Sequence, residues 1–263
     1  MDLQLKGKSA LITGASRGLG YAVALGLARE GCQVALNGRD PDSAIKAAET
    51  IKKETHANVI PIAGDVSQPG VAESLVKNTV DAFGGIDLMM TNSGGPPSGN
   101  FESFDDDDWY SAIDLIFMSH VRLIRAALPY LRQSNSASVL TLTSYSVKQP
   151  IPGLILSNSI RSSVVGLTKT LALELGPEGI RFNSILPGWT DTERIQYLME
   201  QRAKANGTTV EEEIAKQTND SPFRRMATPQ EFANAAVFLL SPAASYITGL
   251  MLSVDGGMYK GTL

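Results

Sequence analysis

The sequence predicts a single α/β domain in which a parallel sheet of about seven strands is doubly wound, with helices on both faces. Short aliphatic runs alternate with longer segments of helical periodicity from the N-terminus onward. The chain has 263 residues, of which 43% are hydrophobic, so it can bury one large core. No interdomain linker or internal repeat interrupts the pattern. We therefore expect residues 1–263 to form one domain.

The first half of the chain has the clearest alternation. Strands are predicted at Ser9–Thr13, Gln33–Asn37 and Asn58–Ile62, and helices between them at Leu19–Glu30 and Ser43–Glu54. Gly31 is placed to end the first helix, and Asp40 with Pro41 provides an N-cap and a first-turn proline for the second. This order predicts two consecutive parallel crossovers.

The second half continues the alternation and then interrupts it. The predicted elements are strand Ile86–Met90, a long helix from about Asp106 to Arg132, strand Ser138–Thr143, helix Gly153–Leu175, strand Ile180–Leu186 and a last strand, Leu250–Val254. Polar, weakly patterned helices lie between Thr190 and Pro222. Because this segment follows the carboxyl end of a strand, we expect residues 190–222 to form a helical substrate lid.

Composition excludes several classes of partner. The formal net charge is −4 and basic residues are scattered, which argues against nucleic acid and anionic membranes as partners. No apolar run approaches the length of a membrane span. Cys32 is the single cysteine, so we expect no disulfide and a cytoplasmic protein. The two histidines lie apart in the sequence, and no metal site is predicted.

A glycine-rich turn joins the first strand to the first helix. Its residues are Gly14, Ser16, Arg17, Gly18, Leu19 and Gly20. Glycines at such a junction permit a tight turn and let the backbone approach a phosphate at the helix N-terminus. The spacing differs from the commonest dinucleotide fingerprint, and a purely structural turn is the alternative interpretation. We interpret the turn as the diphosphate site of a Rossmann-type domain.

The end of the second predicted strand indicates which dinucleotide is bound. An NAD-selective site places an acidic residue there, against the ribose 2′-hydroxyl. This sequence has Asn37, Gly38 and Arg39 instead. Arg39, together with Arg17 in the glycine turn, can place guanidinium groups around a 2′-phosphate. The prediction is therefore NADP(H) rather than NAD(H).

Taken together, these residues resemble the classical short-chain dehydrogenase/reductase family from Gly7 to Gly257. Further supports are Gly64–Val66, Thr91–Gly94, Pro187–Gly188 with Thr190 and Thr192, and Asp255–Gly257. The resemblance implies that Asp65 and Val66 contact adenine and that Asn92, Ser93 and Gly94 support a ribose. It further implies that Pro187, Gly188, Thr190 and Thr192 position the nicotinamide. A small carbonyl or alcohol substrate and a homodimer or homotetramer are also implied.

The resemblance also marks the catalytic positions, where this sequence departs from the family pattern. Ser144 matches the serine that holds the substrate oxygen, but Ser157 and Arg161 stand where the family has tyrosine and lysine. Ile116 stands near the position of the family's relay asparagine. A serine hydroxyl is a far weaker acid than a tyrosine. Arg161 keeps the positive charge and can hold ribose hydroxyls, but it cannot act as a neutral proton carrier.

Two hypotheses follow from this departure. In the first, the protein is an NADP(H)-dependent oxidoreductase that interconverts a carbonyl, such as a hydrophobic ketone or a 3-oxoacyl-like group, and an alcohol. Ser144, Ser157 and Arg161 would then serve as a non-standard catalytic set, with Tyr145 and Lys148 as a second candidate donor pair. In the second, the protein is a catalytically inactive NADP(H)-binding sensor or partner subunit.

Overall fold

A computed structural model of the protein describes residues 1–262. Seven parallel strands in this part of the chain form one sheet in the order β3-β2-β1-β4-β5-β6-β7. The strands are β1 (Ser9–Ile12), β2 (Gln33–Gly38), β3 (Val59–Ala63), β4 (Leu88–Thr91), β5 (Ser138–Leu142), β6 (Arg181–Pro187) and β7 (Met251–Val254). Every neighbouring pair is parallel, and the predicted fold class is confirmed.

Helices cover both faces of the sheet. They are α1 (Gly18–Arg29), α2 (Pro41–Thr55), α3 (Val71–Phe83), α4 (Asp106–Ile113), α5 (Ser119–Leu131), α6 (Ile155–Leu175), α7 (Glu193–Asn206), α8 (Val210–Thr218) and α9 (Pro229–Leu240). One core packs α1, α2 and α9 on the sheet, and the other packs α3, α5 and α6. No helix within residues 1–262 is both long enough and apolar enough to cross a bilayer.

The predicted long helix from Asp106 to Arg132 is interrupted. Residues Asp114–Met118 form a π turn between α4 and α5, which the periodicity of the sequence did not predict. Upstream of the turn, α4 packs on α6, whereas α5 packs on α3 and β4. The N-terminus of α4 is a capping box, in which Asp108 N donates to Asp105 Oδ1 at 3.1 Å. The four consecutive aspartates, Asp105–Asp108, therefore begin a helix.

The topology leaves a cleft at one edge of the sheet. β1 pairs with β2 on one side and with β4 on the other, so the winding direction reverses between β1 and β4. In such sheets ligands bind outside the carboxyl ends of the strands at this reversal. The α7–α8 segment follows β6 and packs through Leu198 and Met199 against Trp189 and Met258. It therefore borders the same edge.

Candidate active site

A cavity of about 530 Å³ lies at the carboxyl ends of the central strands. Its wall contains nearly all the residues that the sequence marked, namely Gly14, Ser16, Arg17, Gly18, Leu19, Arg39, Asp65, Val66, Asn92, Ser93, Gly94, Ser144, Ser157, Arg161, Pro187, Gly188, Thr190 and Thr192. Gly20 does not line the cavity. Residues more than 170 positions apart in the sequence thus form one site.

The glycines of the turn are required for different reasons. Gly14 and Gly18 have φ values of +57° and +59°, a region that side-chain-bearing residues rarely adopt. A Cβ atom on Gly20 would lie 2.8 Å from Ala15 Cα and closer still to the Gly14 carbonyl oxygen. Gly20 therefore brings α1 against the turn, while Gly14 and Gly18 shape the cavity wall.

The N-terminus of α1 is open to an anion. Arg17 occupies the N-cap position and makes no side-chain capping bond. The first amide groups of a helix point their N–H bonds outward, and the helix dipole adds positive potential there. A phosphate at this position would accept those hydrogen bonds. The turn thus fits the diphosphate of a dinucleotide.

Two asparagines, the buried Asn37 and the half-buried Asn92, hold the turn in place. Asn37 Oδ1 accepts from Gly14 N at 3.3 Å, while its Nδ2 donates to the Ile62 and Gly64 carbonyls at 3.1 and 3.0 Å. Asn92 Nδ2 donates to the Gly14 carbonyl at 3.1 Å. The sequence marked Asn37 only by the absence of an acid, so its role as a strut between β2, β3 and the glycine turn was missed.

At the far end of the cavity lie the side chains predicted to select the dinucleotide. Arg17 and Arg39 both line this end. Arg17 Nη1 lies 3.2 Å from Glu193 Oε2 at the start of α7, and Arg39 forms no ion pair within residues 1–262. Asp65 is fixed by hydrogen bonds from Ser67 N and Oγ at 3.0 and 2.8 Å. Two cations and one fixed carboxylate therefore flank this end.

The opposite end contains the predicted catalytic residues. Ser144 follows β5, and its Oγ accepts from Ser146 N at 3.1 Å. Ser157 and Arg161 lie one turn apart on α6, and Arg161 Nε donates to Ser157 Oγ at 3.1 Å. Arg161 Nη1 also donates to the Leu142 and Thr143 carbonyls at 3.3 and 3.4 Å. The guanidinium is thereby held between α6 and the end of β5.

Burial affects the charge of Arg161 but does not remove it. Only 7% of this side chain is exposed. Burial, and to a smaller extent the positive charge of Arg194, lowers the pKa of Arg161 to about 10. Arg161 is therefore still a cation at neutral pH, and it places a fixed positive charge beside the Ser157 hydroxyl.

Comparison with known proteins agrees with this geometry. The family model described as Enoyl-(Acyl carrier protein) reductase matches residues 14–259. The uncharacterized oxidoreductase YvrD of Bacillus subtilis is 32% identical and covers 99% of both chains. The chain belongs to the short-chain dehydrogenase/reductase family.

Other relatives in the family have more specific names. The 3-oxoacyl-(acyl-carrier-protein) reductase FabG of Staphylococcus epidermidis is 31% identical, covering 96% of this chain and 99% of its own. L-sorbose reductase from Gluconobacter frateurii, solved in complex with NADPH and L-sorbose, has a TM-score of 0.95. It is 32% identical and covers 99% of this chain and 100% of its own. These short-chain dehydrogenase/reductase relatives are oxidoreductases.

Of the alternative donor pair, Tyr145 lines the cavity and Lys148 does not. Tyr145 is only 8% exposed and lines the cavity, and burial raises its pKa above the ordinary value of 10.0. Lys148 Nζ instead lies over the Tyr259 ring, 5.2 Å from its centroid. At Tyr145 burial outweighs the opposing positive charge of Arg202, and a tyrosine with a raised pKa is a weak proton donor.

Several residues of the site were not predicted from the sequence. Arg194 lines the cavity, and its Nη2 donates to the Pro96 carbonyl at 3.1 Å. Leu115 from the π turn and Leu198 from α7 add apolar wall. Arg194 lies only two positions after Thr192, the last residue of the predicted nicotinamide segment, but this spacing does not indicate where the Arg194 side chain points.

Beneath this site, His120 is fully buried in α5. Its Nδ1 lies 3.3 Å from Ser119 Oγ. Burial, followed by the positive charge of Arg161, lowers the pKa of His120 to about 4, so the ring is neutral at neutral pH. No group of three His, Cys, Asp or Glu side chains within residues 1–262 is arranged to hold a metal ion.

Proposed function

We propose that the protein is an NADP(H)-dependent oxidoreductase that interconverts a carbonyl and an alcohol, using Ser144, Ser157 and Arg161 where its family uses a tyrosine–lysine pair. The observation that carries the proposal is the hydrogen bond from Arg161 Nε to Ser157 Oγ, in the wall of the cavity that also contains Ser144. The structural relative L-sorbose reductase, which was solved with NADPH, supports the choice of cofactor.

The residues of the cavity fit this cofactor along its length. The glycine turn and the open N-terminus of α1 would hold the diphosphate, and Arg17 with Arg39 would bind the 2′-phosphate. Asp65 and Val66 would contact adenine, the Asn92–Gly94 segment the ribose, and Pro187, Gly188, Thr190 and Thr192 the nicotinamide. When bound, the nicotinamide supplies or accepts the hydride. The protein must supply orientation and a proton.

Ser157 is the proposed proton donor. Because Ser157 Oγ accepts the Arg161 Nε hydrogen bond, its own hydrogen is available to the substrate oxygen. As that hydrogen is donated, negative charge develops on Oγ, and the adjacent guanidinium stabilises it. Ser144 Oγ, which accepts from Ser146 N, can donate a second hydrogen bond to the same substrate oxygen. Water would then return a proton to Ser157.

The remaining wall indicates the kind of substrate. Leu115, Ile151, Leu154 and Leu198, together with Trp189, present an apolar surface on the substrate side of the cavity. This surface favours a hydrophobic ketone or a 3-oxoacyl-like chain. We propose that residues 190–222, which include α7 and α8, act as the lid over that substrate.

Assembly and location belong to the same proposal. Leu173 on α6 is 73% exposed and Tyr110 on α4 is 66% exposed, and such side chains are suited to a contact between copies of the chain. We propose a homodimer or homotetramer that works in the cytoplasm.

The test combines turnover with cofactor binding. NADPH oxidation is measured on a panel of ketones and 3-oxoacyl esters for the wild type, Ser144→Ala and Ser157→Ala. Loss of a general acid typically costs about 100-fold or more, so turnover by Ser157→Ala should fall by that factor while NADPH affinity is unchanged. Ser162→Ala is the matched control, because Ser162 lies on α6 but is exposed.

Three outcomes would oppose the proposal. Tight NADPH binding without turnover on any substrate would favour the inactive sensor or partner subunit. Turnover that appears only in the double variant Ser157→Tyr with Arg161→Lys would indicate that the natural site has lost catalysis. Equal turnover in Ser157→Ala and the wild type would remove Ser157 from the mechanism.

A further inference from the structure

Besides Arg39, two arginines that line the cavity, Arg161 and Arg194, have no counter-ion within residues 1–262. Arg161 contacts Ser157 Oγ and two backbone carbonyls, and Arg194 contacts the Pro96 carbonyl. Neither forms an ion pair within residues 1–262. The charge of Arg194 contributes to the lowered pKa of Arg161, so the two guanidinium groups repel each other. Within residues 1–262, no carboxylate pairs with either guanidinium to offset that repulsion.

Arg194 lacks an ion-pair partner within residues 1–262 at a position where a positive charge is unfavourable. It lies in the first turn of α7, where the helix dipole is already positive and a cation is unfavourable. The neighbouring carboxylate, Glu193, is engaged with Arg17. By contrast, Arg132 and Arg225 lie outside the cavity and pair with Glu178 and Glu231. The positive potential at Arg194 is therefore directed at whatever the cavity binds.

The hydrogen-bonding capacity of Arg194 is largely unused. A guanidinium has five N–H donors, and within residues 1–262 only Nη2 of Arg194 has an acceptor, the Pro96 carbonyl. That carbonyl belongs to the 95–101 loop, which borders the apolar side of the cavity rather than the glycine turn. Arg194 is thus hydrogen-bonded to the loop on the substrate side, while the preceding residues Thr192 and Glu193 contact the glycine turn.

We propose that Arg194 is a specificity-determining residue that binds a carboxylate on the substrate, so that the site takes oxo acids in preference to neutral ketones. The inference rests on the proposed function. The carboxylate would accept a charge-assisted, two-point hydrogen bond from Arg194. The carbon chain would contact Leu115 and Leu154, and the oxo group would reach Ser157. The other anion within the cavity would be the cofactor diphosphate, and the experiment separates the two.

The experiment compares acids with their esters. NADPH-dependent reduction of acetoacetate and levulinate is measured against that of methyl acetoacetate and methyl levulinate, for the wild type, Arg194→Gln and Arg194→Lys. We expect the KM for the acids to rise about tenfold or more in Arg194→Gln, to be partly restored in Arg194→Lys, and to be unchanged for the esters. Arg29→Gln, an exposed arginine on α1 outside the cavity, is the matched control.

A binding measurement keeps this inference separate from the proposed function. Calorimetry measures levulinate and methyl levulinate binding to the NADP⁺-loaded protein, and NADPH binding to each variant. Levulinate binding that is lost in Arg194→Gln supports the inference even if no substrate turns over, in which case only the proposed function fails. Turnover with equal preference for acids and esters overturns the inference alone. NADPH affinity that falls tenfold with the acid-to-ester ratio unchanged also overturns it, and assigns Arg194 to the cofactor diphosphate.

Discussion

Burial of His120 predicts that the protein loses stability in mild acid. The folded-state pKa is about 4, below the ordinary value of 6.5, because the ring is buried and Arg161 is close. Below about pH 6.5 the unfolded chain binds a proton that the folded chain does not bind until about pH 4. The free energy of unfolding is therefore unaffected by His120 above about pH 6.5, and it falls as the pH decreases from about 6.5 to about 4. At about pH 5, roughly 1.5 pH units below the pKa of the unfolded chain, the free energy of unfolding is lower by about 2 kcal/mol.

The assay isolates this residue from the carboxylates that titrate nearby. Urea unfolding of the wild type, His120→Gln and His56→Asn is followed by circular dichroism at about pH 7.5 and about pH 5. The wild type should lose about 2 kcal/mol more than His120→Gln between these values. His56 is exposed and has a positive φ that asparagine tolerates, so its variant should match the wild type. An equal loss of unfolding free energy in the wild type and in His120→Gln would contradict this prediction.

Three further predictions concern the supports of the site. Gly20→Ala places a Cβ atom against the backbone of Ala15, so NADPH affinity measured by fluorescence should fall at least tenfold. Gly166→Ala is the control, because Gly166 has open space around it and its substitution should leave the affinity unchanged. Asn37→Ala leaves the Gly14 N–H and two carbonyls without partners and should lower unfolding free energy in urea by about 1–3 kcal/mol. Glu213→Gln weakens the bonds from Asn206 and Thr208 that tie the end of α7 and its connection to α8, as well as the bond from Lys216 within α8. Limited proteolysis should therefore cut near residue 207 faster, and an unchanged cleavage rate would contradict this.

The sheet and the glycine turn could be predicted because their signals are local. Alternating aliphatic and helical segments specify parallel crossovers, and the strands at Gln33–Gly38 and Arg181–Pro187 lie within a residue of the predicted bounds. Gly14 and Gly18 were predicted to shape a phosphate turn, and their positive φ values agree with that expectation. These features depend on neighbours within a few positions, which a sequence displays directly.

Other features depend on contacts between distant segments. The strut formed by Asn37 joins β2 to β3 and to the glycine turn, and its partners become neighbours only once the register of the sheet is set. Arg194 enters the cavity because α7 begins where β6 and the 95–101 loop meet. The π turn at Asp114–Met118 leaves no mark in hydrophobic periodicity, because a helix with one additional residue in a turn has nearly the same pattern of apolar positions.

The π turn also bears on how the substrate wall could change. A π turn spans one more residue than an α turn, so the face that α4 presents is offset from the face that α5 presents. Leu115 lies within that offset and reaches the cavity. Deleting a single residue from the 114–118 stretch would restore a regular helix and rotate one half by about 100°. Such a deletion would replace Leu115 in the wall by a neighbouring side chain. A one-residue change in the length of this turn therefore alters the shape of the pocket without any substitution in its wall.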